Sequence, residues 1–276
     1  MAKGDIVMNN VLKLRPFYSE KIWGYENWSL STHKNGHCMI NSTQETLISK
    51  LDKELPILIK IIKANEKLSV QVHPDDIYAK VHENDCGKTE CWYILEAKEG
   101  ASLICGIKDG LDKKSLSKII KQGKIENYLE RINVKAGDVI YIPSGTVHAI
   151  EGGLKLIEIQ QSSDITYRMY DWGRDREIHI EKALDVIDYK KSKKGGKIDN
   201  FTKLETLYFT VEKISINGEY RDVVKNDFHS YTVVNGSGNI CSNNNKLTLN
   251  KEETIYIPNG VNYSIHGNIE LIKSYI

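Results

Sequence analysis

Residues 140–148 read IYIPSGTVH, and this stretch decides the predicted fold. An apolar strand-like run is followed by Pro143 and Gly145, which are typical of a turn, and His148 opens the next apolar run. Similar short runs, broken by Gly, Asn and Asp, occur at residues 92–96 and 154–159. Short strands at such intervals predict an all-β sandwich or barrel.

Three fragments carry good metal ligands in or beside these runs: QVHP at residues 71–74, GKTE at 87–90, and the stretch that ends in His148. Strand alternation places Gln71 and His73 on one face and Val72 on the other. Two imidazoles, the Glu90 carboxylate and the Gln71 amide oxygen form a suitable set for one divalent cation, with coordination positions left for a substrate. The sequence therefore predicts a single metal site.

Helical signals interrupt the strand pattern in three places. Between residues 112 and 131, apolar residues recur at helical spacing among lysines, and Asp112 is a favourable N-cap. Residues 75–82 and 180–188 are shorter helix candidates. We therefore predict an all-β fold with a small helical insertion near residues 112–131.

The motif at residues 140–152 returns at residues 255–267, which read IYIPNGVNYSIHG. The chain thus contains two copies of one β unit, and we predict domains at residues 1–190 and 200–276 joined by a basic linker. Tyr263 stands where the first copy has His148, and Phe228 aligns near Glu90. We therefore predict a degenerate second domain without a metal site.

Composition narrows the classes of function. The 276 residues are 40% hydrophobic and 27% charged with a net charge of +1, which indicates neither a nucleic-acid nor a membrane partner. No stretch is apolar enough to span a bilayer. Five cysteines without a CxxC pair favour reduced thiols and a cytoplasmic location. No Gly-rich nucleotide loop occurs, and no pattern specifies an oligomeric state.

Further motifs extend the pattern to a known family. Besides QVHP and GKTE, the chain has Trp23-Gly24 near its start and SDITYRMYDWGR at residues 163–174. With these motifs, residues 12–190 resemble type I mannose-6-phosphate isomerases of the short bacterial class, while the C-terminal residues follow that family only in outline. The resemblance implies two cupin units, each a small jelly-roll barrel, with the helical insertion in the first.

The resemblance also implies an activity and a site. The activity is the interconversion of D-mannose 6-phosphate and D-fructose 6-phosphate by proton transfer between C1 and C2 through an enediolate. Arg168 matches the family's active-site arginine, and Lys88 matches a lysine that acts as an acid/base or substrate-binding group. One zinc ion would be held by Gln71, His73, Glu90 and His148.

A sugar-phosphate substrate would also need side chains that bind its phosphate group. A sugar phosphate needs cationic or hydroxyl partners, for which Lys88, Arg174 and Ser69 are the candidates. Arg168 suits a developing negative oxygen, although a salt bridge with Asp164 or Asp171 is the structural alternative for it.

Two other functions use the same ligand set. One is a metal-dependent cupin oxygenase with iron, and the other is a non-catalytic cupin that binds a sugar phosphate. Lys88 and Arg168 fit a phosphosugar better than dioxygen. A complete ligand set argues against a module that only binds.

Overall fold

The fold is built mainly from β-strands. The computed structural model describes residues 10–192, 194–243 and 245–276. Within these ranges the chain forms twenty strands and four α-helices, which confirms the predicted all-β class with minor helical content. None of the helices in the described ranges is both long and apolar enough to cross a membrane.

The elements follow one another in this order. The helices are α1 (Leu47–Leu51), α2 (Asp76–His82), α3 (Lys113–Lys121) and α4 (Ile180–Val186), with one 3-10 turn at Ile125–Tyr128. The strands are β1 (Leu12–Arg15), β2 (Phe17–Lys21), β3 (Gly24–Leu30), β4 (Met39–Ile40), β5 (Ile57–Ala64), β6 (Val70–Val72), β7 (Glu90–Ala97), β8 (Ser102–Ile107), β9 (Leu129–Asn133), β10 (Val139–Ile142), β11 (His148–Ile150), β12 (Leu154–Gln161), β13 (Tyr167–Tyr170), β14 (Gly196–Ile198), β15 (Lys203–Glu205), β16 (Thr210–Val223), β17 (Phe228–Ser242), β18 (Asn245–Leu249), β19 (Thr254–Pro258) and β20 (Asn262–Tyr275).

The described residues separate into two compact units. The larger unit contains residues 18–27 and 56–200, and the C-terminal unit contains residues 10–17, 28–55 and 201–276. This division differs from the predicted contiguous domains at 1–190 and 200–276. Residues 1–9 of the predicted first domain and Lys193 of the predicted linker lie outside the described residues.

The larger unit is a sandwich of two sheets. Their strand orders are β14-β10-β7-β12-β5-β3-β2 and β13-β6-β11-β8-β9. Side chains from both sheets, including Ile62, Trp92 and Ile150, pack into one core between them. Strand β14 pairs with β10, so part of the predicted linker belongs to a sheet instead.

Helices cover the outer face of the five-stranded sheet. Val70 and Val72 pack there with Leu116 of α3 and Leu184 of α4. Both faces of β6 are therefore covered, and alternation turns Gln71 toward the interior of the sandwich. This arrangement confirms the predicted outward packing of Val72.

The predicted helices form, with one difference in extent. Asp112 caps α3 as predicted, and its carboxylate accepts a hydrogen bond from the backbone nitrogen of Ser115 at 2.7 Å. The predicted helical segment to residue 131 was too long, because Leu129–Asn133 forms β9 and pairs with β8. From Glu130 to Asn133 half-buried and exposed residues alternate, which is a strand pattern.

The C-terminal unit is built on one antiparallel sheet. Its order is β15-β16-β20-β17-β19-β1-β4, with β18 paired to β17. The sheet buries a core that includes Val233, Ile257 and Leu271. Leu12 of β1 lies opposite Tyr256 of β19. This pairing places the N-terminal strand in the C-terminal unit and is the reason for the difference from the predicted boundaries.

Candidate metal centre

One row of side chains crosses the five-stranded sheet of the larger unit. Gln71 on β6 lies directly opposite His148 on β11 and directly opposite Arg168 on β13. Opposed residues of antiparallel strands project from the same face of the sheet. Three predicted site residues that are far apart in the sequence are therefore cross-strand neighbours.

A second row crosses the facing seven-stranded sheet. Glu158 on β12 lies opposite Trp92 on β7 and opposite Lys60 on β5. All three side chains are buried, and the indole nitrogen Nε1 of Trp92 donates a 3.0 Å hydrogen bond to Oε2 of Glu158. Glu90 lies two residues before Trp92, so alternation points it to the same interior.

His73, Glu90 and His148 form a compact buried cluster. Their ligand atoms all lie within 4.8 Å of one another. Nε2 of His148 is 3.2 Å from Oε1 of Glu90, and Nε2 of His73 is 3.7 Å from Oε2 of the same carboxylate. Three of the four predicted ligands thus meet at one point of the sandwich.

The outer nitrogens of both rings are held by the backbone. Nδ1 of His73 lies 2.7 Å from the carbonyl oxygen of Ile165, and Nδ1 of His148 lies 2.9 Å from that of Thr146. When each Nδ1–H donates to its carbonyl, Nε2 keeps a lone pair that faces Glu90. Metal-binding histidines typically have this second bond, which sets the tautomer and the ring plane.

Burial keeps the imidazoles neutral and available. Burial, aided by the charge of Lys88, lowers the pKa of His73 well below its ordinary value. Burial lowers the pKa of His148 to about 4. Both rings are therefore neutral at pH 7, so each can offer a nitrogen lone pair, which a metal ligand requires.

The Glu90 carboxylate lacks the partners that a buried charge needs. Its side chain is 0% exposed, and neither oxygen has a hydrogen-bond partner among the described residues. Nζ of Lys88 lies 3.1 Å from Oε2, which supplies charge without a hydrogen bond of good geometry. An unsatisfied buried carboxylate beside two imidazole lone pairs suits a divalent cation.

Gln71 completes the predicted set after one rotation. Its Nε2 lies 3.3 Å from Nε2 of His148, and its Oε1 accepts a 3.3 Å hydrogen bond from the hydroxyl of Ser69. A half-turn of the amide exchanges these two atoms and brings the oxygen to the cluster. Ser69, predicted to bind substrate, therefore lies beside a predicted metal ligand.

A cavity of about 330 Å³ adjoins the cluster. Gln71 and Lys88, which contact the cluster, form part of its wall together with the predicted residues Ser69 and Arg168. Charged residues that the sequence analysis did not select also line it: Lys21, Glu26, Lys60, Glu158, Asp164 and Arg176.

The buried charges of the cavity wall are mutually compensated. Nζ of Lys60 lies 3.6 Å from Glu158 and 3.7 Å from Glu26. Burial alone would lower the pKa of Lys60, but the carboxylates around it outweigh burial and raise that pKa. Burial and the neighbouring Glu90 raise the pKa of Glu158.

Comparison with known proteins assigns the chain to a family. Residues 32–98 match the phosphomannose isomerase type I catalytic domain, and residues 197–276 match the mannose-6-phosphate isomerase cupin domain. The mannose-6-phosphate isomerase of Streptococcus mutans is 34% identical over 91% of this chain and 88% of its own length. The chain belongs to the type I mannose-6-phosphate isomerase family.

A solved structure of the family supports the fold assignment. The crystal structure of the mannose 6-phosphate isomerase from Bacillus subtilis superposes with a TM-score of 0.88 at 32% identity, over 96% of this chain and 99% of that one. The curated Bacillus subtilis isomerase ManA is also 32% identical, over 96% of this chain and 98% of its own length. The predicted resemblance and the cupin fold are thus confirmed.

One predicted site residue of this family member lies elsewhere. Arg174 does not line the cavity. Its Nη2 bonds to the carboxylate of Asp171 at 2.7 Å and to the carbonyl oxygen of Lys67 at 2.8 Å, and its side chain borders a separate surface depression. Arg176, two residues further on, lines the cavity instead. No local sequence signal distinguishes these two arginines.

Other missed residues did carry a signal. Lys60 interrupts the apolar run ILIKIIKA, and Glu158 interrupts LKLIEIQQ. A charged side chain that is buried in a mainly apolar strand must be paired or functional. The sequence could therefore have marked both residues as interior charges.

The C-terminal repeat requires a correction of one residue. Ile142 lies opposite Glu90, while its repeat counterpart Ile257 lies opposite His229. The counterpart of Glu90 is therefore His229, one residue after Phe228, near which the repeat in the sequence placed it. A shift of one residue in a strand moves a side chain to the other face, so the correction changes which group enters the interior.

Proposed function

We propose that this chain is a zinc-dependent isomerase that interconverts D-mannose 6-phosphate and D-fructose 6-phosphate. The observation that carries the proposal is the buried cluster of His73, Glu90 and His148 beside a cavity lined with charged side chains. The names of the relatives, which align over nearly their whole length, support the choice of substrate.

The donor set supports zinc, one ion per chain. Two imidazole nitrogens and one carboxylate are frequent zinc ligands, and Gln71 offers an amide oxygen beside them. When bound, the ion supplies Lewis-acid polarisation of the sugar oxygens as a proton moves between C1 and C2. The chain's own residues then have to bind the sugar, carry the proton and stabilise negative charge.

Arg168 is placed to stabilise the developing negative oxygen. Its Nη1 donates to the backbone carbonyl of Glu177, which anchors one end of the guanidinium, and its buried Nε has no partner among the described residues. Among the residues that the structure describes, no ion pair joins Arg168 to Asp164 or Asp171. This geometry favours a role toward substrate over the structural salt bridge.

Lys88 and Glu158 are the groups that can carry the proton. Nζ of Lys88 lies 3.2 Å from Nε2 of His73 and 4.0 Å from Oε1 of Glu158, and both side chains border the cavity. The raised pKa of Glu158 brings that carboxyl closer to the working pH, which favours proton exchange. We assign Lys88 to acid/base or substrate-binding work, as predicted, and add Glu158 as a proton acceptor.

The charged side chains of the cavity favour an isomerase over a cupin oxygenase. Dioxygen needs no cationic binding groups, whereas a phosphosugar does, so Lys88 and Arg168 support the isomerase over an oxygenase. A cytoplasmic site of action belongs to the proposal and is supported by the five free cysteines.

A coupled isomerase assay on the purified chain tests the proposal. We expect turnover of mannose 6-phosphate that a chelator abolishes and that one equivalent of zinc restores. Oxygen uptake with mannose 6-phosphate serves as the control for oxygenase chemistry and should stay at background. Binding of mannose 6-phosphate without turnover in the zinc-loaded protein would contradict the proposal and favour a binding module.

A further inference from the structure

A buried carboxylate organises the arginines that follow β13. The side chain of Asp171 is 2% exposed. It accepts two hydrogen bonds from Arg176, Nε to Oδ2 at 2.6 Å and Nη2 to Oδ1 at 2.7 Å, and a third from Nη2 of Arg174 at 2.7 Å. The paired bonds fix the plane of the Arg176 guanidinium, which a single contact would leave free to rotate.

The backbone turn behind Asp171 has an unusual conformation. Trp172 has a φ of 55° and Gly173 a φ of 83°, both in the left-handed region. Trp172 tolerates this conformation while its indole Nε1 donates a 2.6 Å hydrogen bond to the carbonyl oxygen of Leu68. The turn brings the following arginines back onto the carboxylate that precedes it.

The two arginines bound to Asp171 face different surroundings. Arg176 borders the same cavity as Arg168, Gln71 and Lys88. Arg174 borders a separate depression beside Trp172 and is held by a backbone carbonyl. Asp171 therefore presents only one of its two partners to the cavity.

Arg176 keeps donors available after it has bound Asp171. Its Nε–H and one of the two hydrogens of Nη2 bond to Asp171, and Nη1 has no partner among the described residues. The edge formed by Nη1 and the second hydrogen of Nη2 therefore remains for a ligand. The guanidinium of Arg168 contributes a second cation to the same wall, and its pKa is lowered first by burial and then by the charge of Arg176. Arg168 and Arg176 thus give this wall of the cavity a positive charge that Asp171 only partly offsets.

The cavity wall formed by the seven-stranded sheet has the reverse character. There the buried carboxylates Glu26 and Glu158 surround Lys60, and Glu90 lies behind Lys88. A ligand with an anionic group at one end and neutral hydroxyls at the other matches this distribution. Guanidinium groups bind phosphoryl oxygens in a two-point geometry that lysine cannot reproduce.

We propose that Arg176 binds the phosphoryl group of the substrate, and that Asp171 is the positioning residue that holds Arg176 in place. The inference rests on the proposed function for the identity of the sugar. The prediction of an anion site at Arg176 does not depend on that identity. It rests on the contacts of Asp171 and Arg176 described above.

The test compares two arginines that share one carboxylate. Arg176→Ala removes the guanidinium from the cavity, and Arg174→Ala is the matched control because it removes a guanidinium from the other side of Asp171. For Arg176→Ala we expect the KM for mannose 6-phosphate and the inhibition constant for inorganic phosphate to rise about 10- to 100-fold, with kcat changed far less. Arg174→Ala should leave both constants near wild type.

Asp171→Asn separates positioning from a purely structural role. Asn keeps the size of the side chain, but it is uncharged and has only one acceptor oxygen. It therefore cannot accept the two parallel hydrogen bonds of a guanidinium. We expect the same rise in KM and in the phosphate inhibition constant, smaller than for Arg176→Ala, with zinc content unchanged. Arg176→Lys should recover only part of the loss.

Three results would overturn the inference. They are unchanged constants for Arg176→Ala, equal effects of Arg174→Ala and Arg176→Ala, or a drop in kcat and thermal midpoint without a change in the phosphate constant. A wild-type protein that does not isomerise mannose 6-phosphate would refute the proposed function alone. Calorimetric titration with inorganic phosphate would then still decide whether Arg176 forms an anion site.

Discussion

The two units place different chemistry on the same strand register. In the larger unit, Nε2 of His148 lies 3.2 Å from Oε1 of Glu90. At the equivalent positions of the C-terminal unit, the hydroxyl of Tyr263 lies 2.8 Å from Nδ1 of His229. The spatial relation between the two positions has been kept, and only the groups that occupy them differ.

The correspondence extends across the neighbouring strands. Gln71 lies opposite His148, and Asp222 lies opposite Tyr263. In the larger unit one row reads Trp92, Glu158 and Lys60, and in the C-terminal unit the row in the same register reads Tyr231, Lys273 and Glu212. The acidic and basic members of the row have exchanged places.

This exchange changes how the interior carboxylate is satisfied. Oδ2 of Asp222 receives Nζ of Lys273 at 2.8 Å and the hydroxyls of Tyr220 and Tyr263 at 3.0 and 3.2 Å. Glu90 has no hydrogen-bond partner among the described residues. The C-terminal unit therefore contains its own cation, while the larger unit presents a carboxylate that an external cation can satisfy.

The largest expected effect comes from removing a proposed zinc ligand of the larger unit. His148→Ala should abolish zinc retention and reduce turnover to background, because one of the two imidazoles of the cluster is lost. Metal analysis and the coupled assay measure both quantities. The matched change Tyr263→Phe should keep a full zinc equivalent and a normal rate, and a metal loss there would contradict the comparison.

A second change tests whether turnover in the larger unit also depends on a residue outside the proposed metal site. Arg168→Lys should keep zinc and charge but lower kcat on the order of 10²–10³-fold, the usual cost of losing one oriented donor to a developing oxyanion. The steady-state rate is measured beside the thermal midpoint. A normal rate with a lowered midpoint would make Arg168 a structural residue.

A third change removes the internal cation of the C-terminal unit. Lys273→Met leaves Asp222 without its ammonium partner. Because the lysine is buried but the aspartate is half-buried, breaking this pair should cost about 1–2 kcal/mol of unfolding free energy, less than for a fully buried pair. Urea unfolding of the zinc-loaded protein measures the loss. The double variant with Asp222→Asn should recover part of it, and an unchanged midpoint in the single variant would show that the ammonium is dispensable.

The smallest effect concerns pH. Burial lowers the pKa of His229 to about 4, below its ordinary value of about 6.5. Above pH 6.5 the ring is neutral in both states. As the pH falls toward 4, the unfolded chain takes up a proton that the folded chain does not, so His229 costs stability.

The variant His229→Gln isolates this contribution. Wild type should lose unfolding free energy relative to the variant between pH 6.5 and 4, while the difference between them stays constant above that range. Urea unfolding at three pH values measures the trend, and parallel pH profiles would show that His229 does not titrate in this way. Zinc content should be unchanged by the substitution.

Local rules were enough for part of the site. Strand alternation predicts that Gln71 and His73 share a face, the turn at Pro143 and Gly145 predicts a returning strand, and residue chemistry predicts a cation among the ligands. The cap at Asp112 is likewise a local feature. Each of these predictions depends on residues a few positions apart, where backbone geometry leaves few alternatives.

Pairing between distant segments decided the rest. The sequence by itself determined the all-β class, the internal repeat and the family, and it predicted which residue types would bind a metal ion. Only the tertiary structure placed β1 beside β19, made His229 rather than Phe228 the counterpart of Glu90, and turned Arg176 rather than Arg174 toward the cavity. The physical reason is that register and loop direction result from many weak contacts between segments far apart in the chain, which no local spacing records.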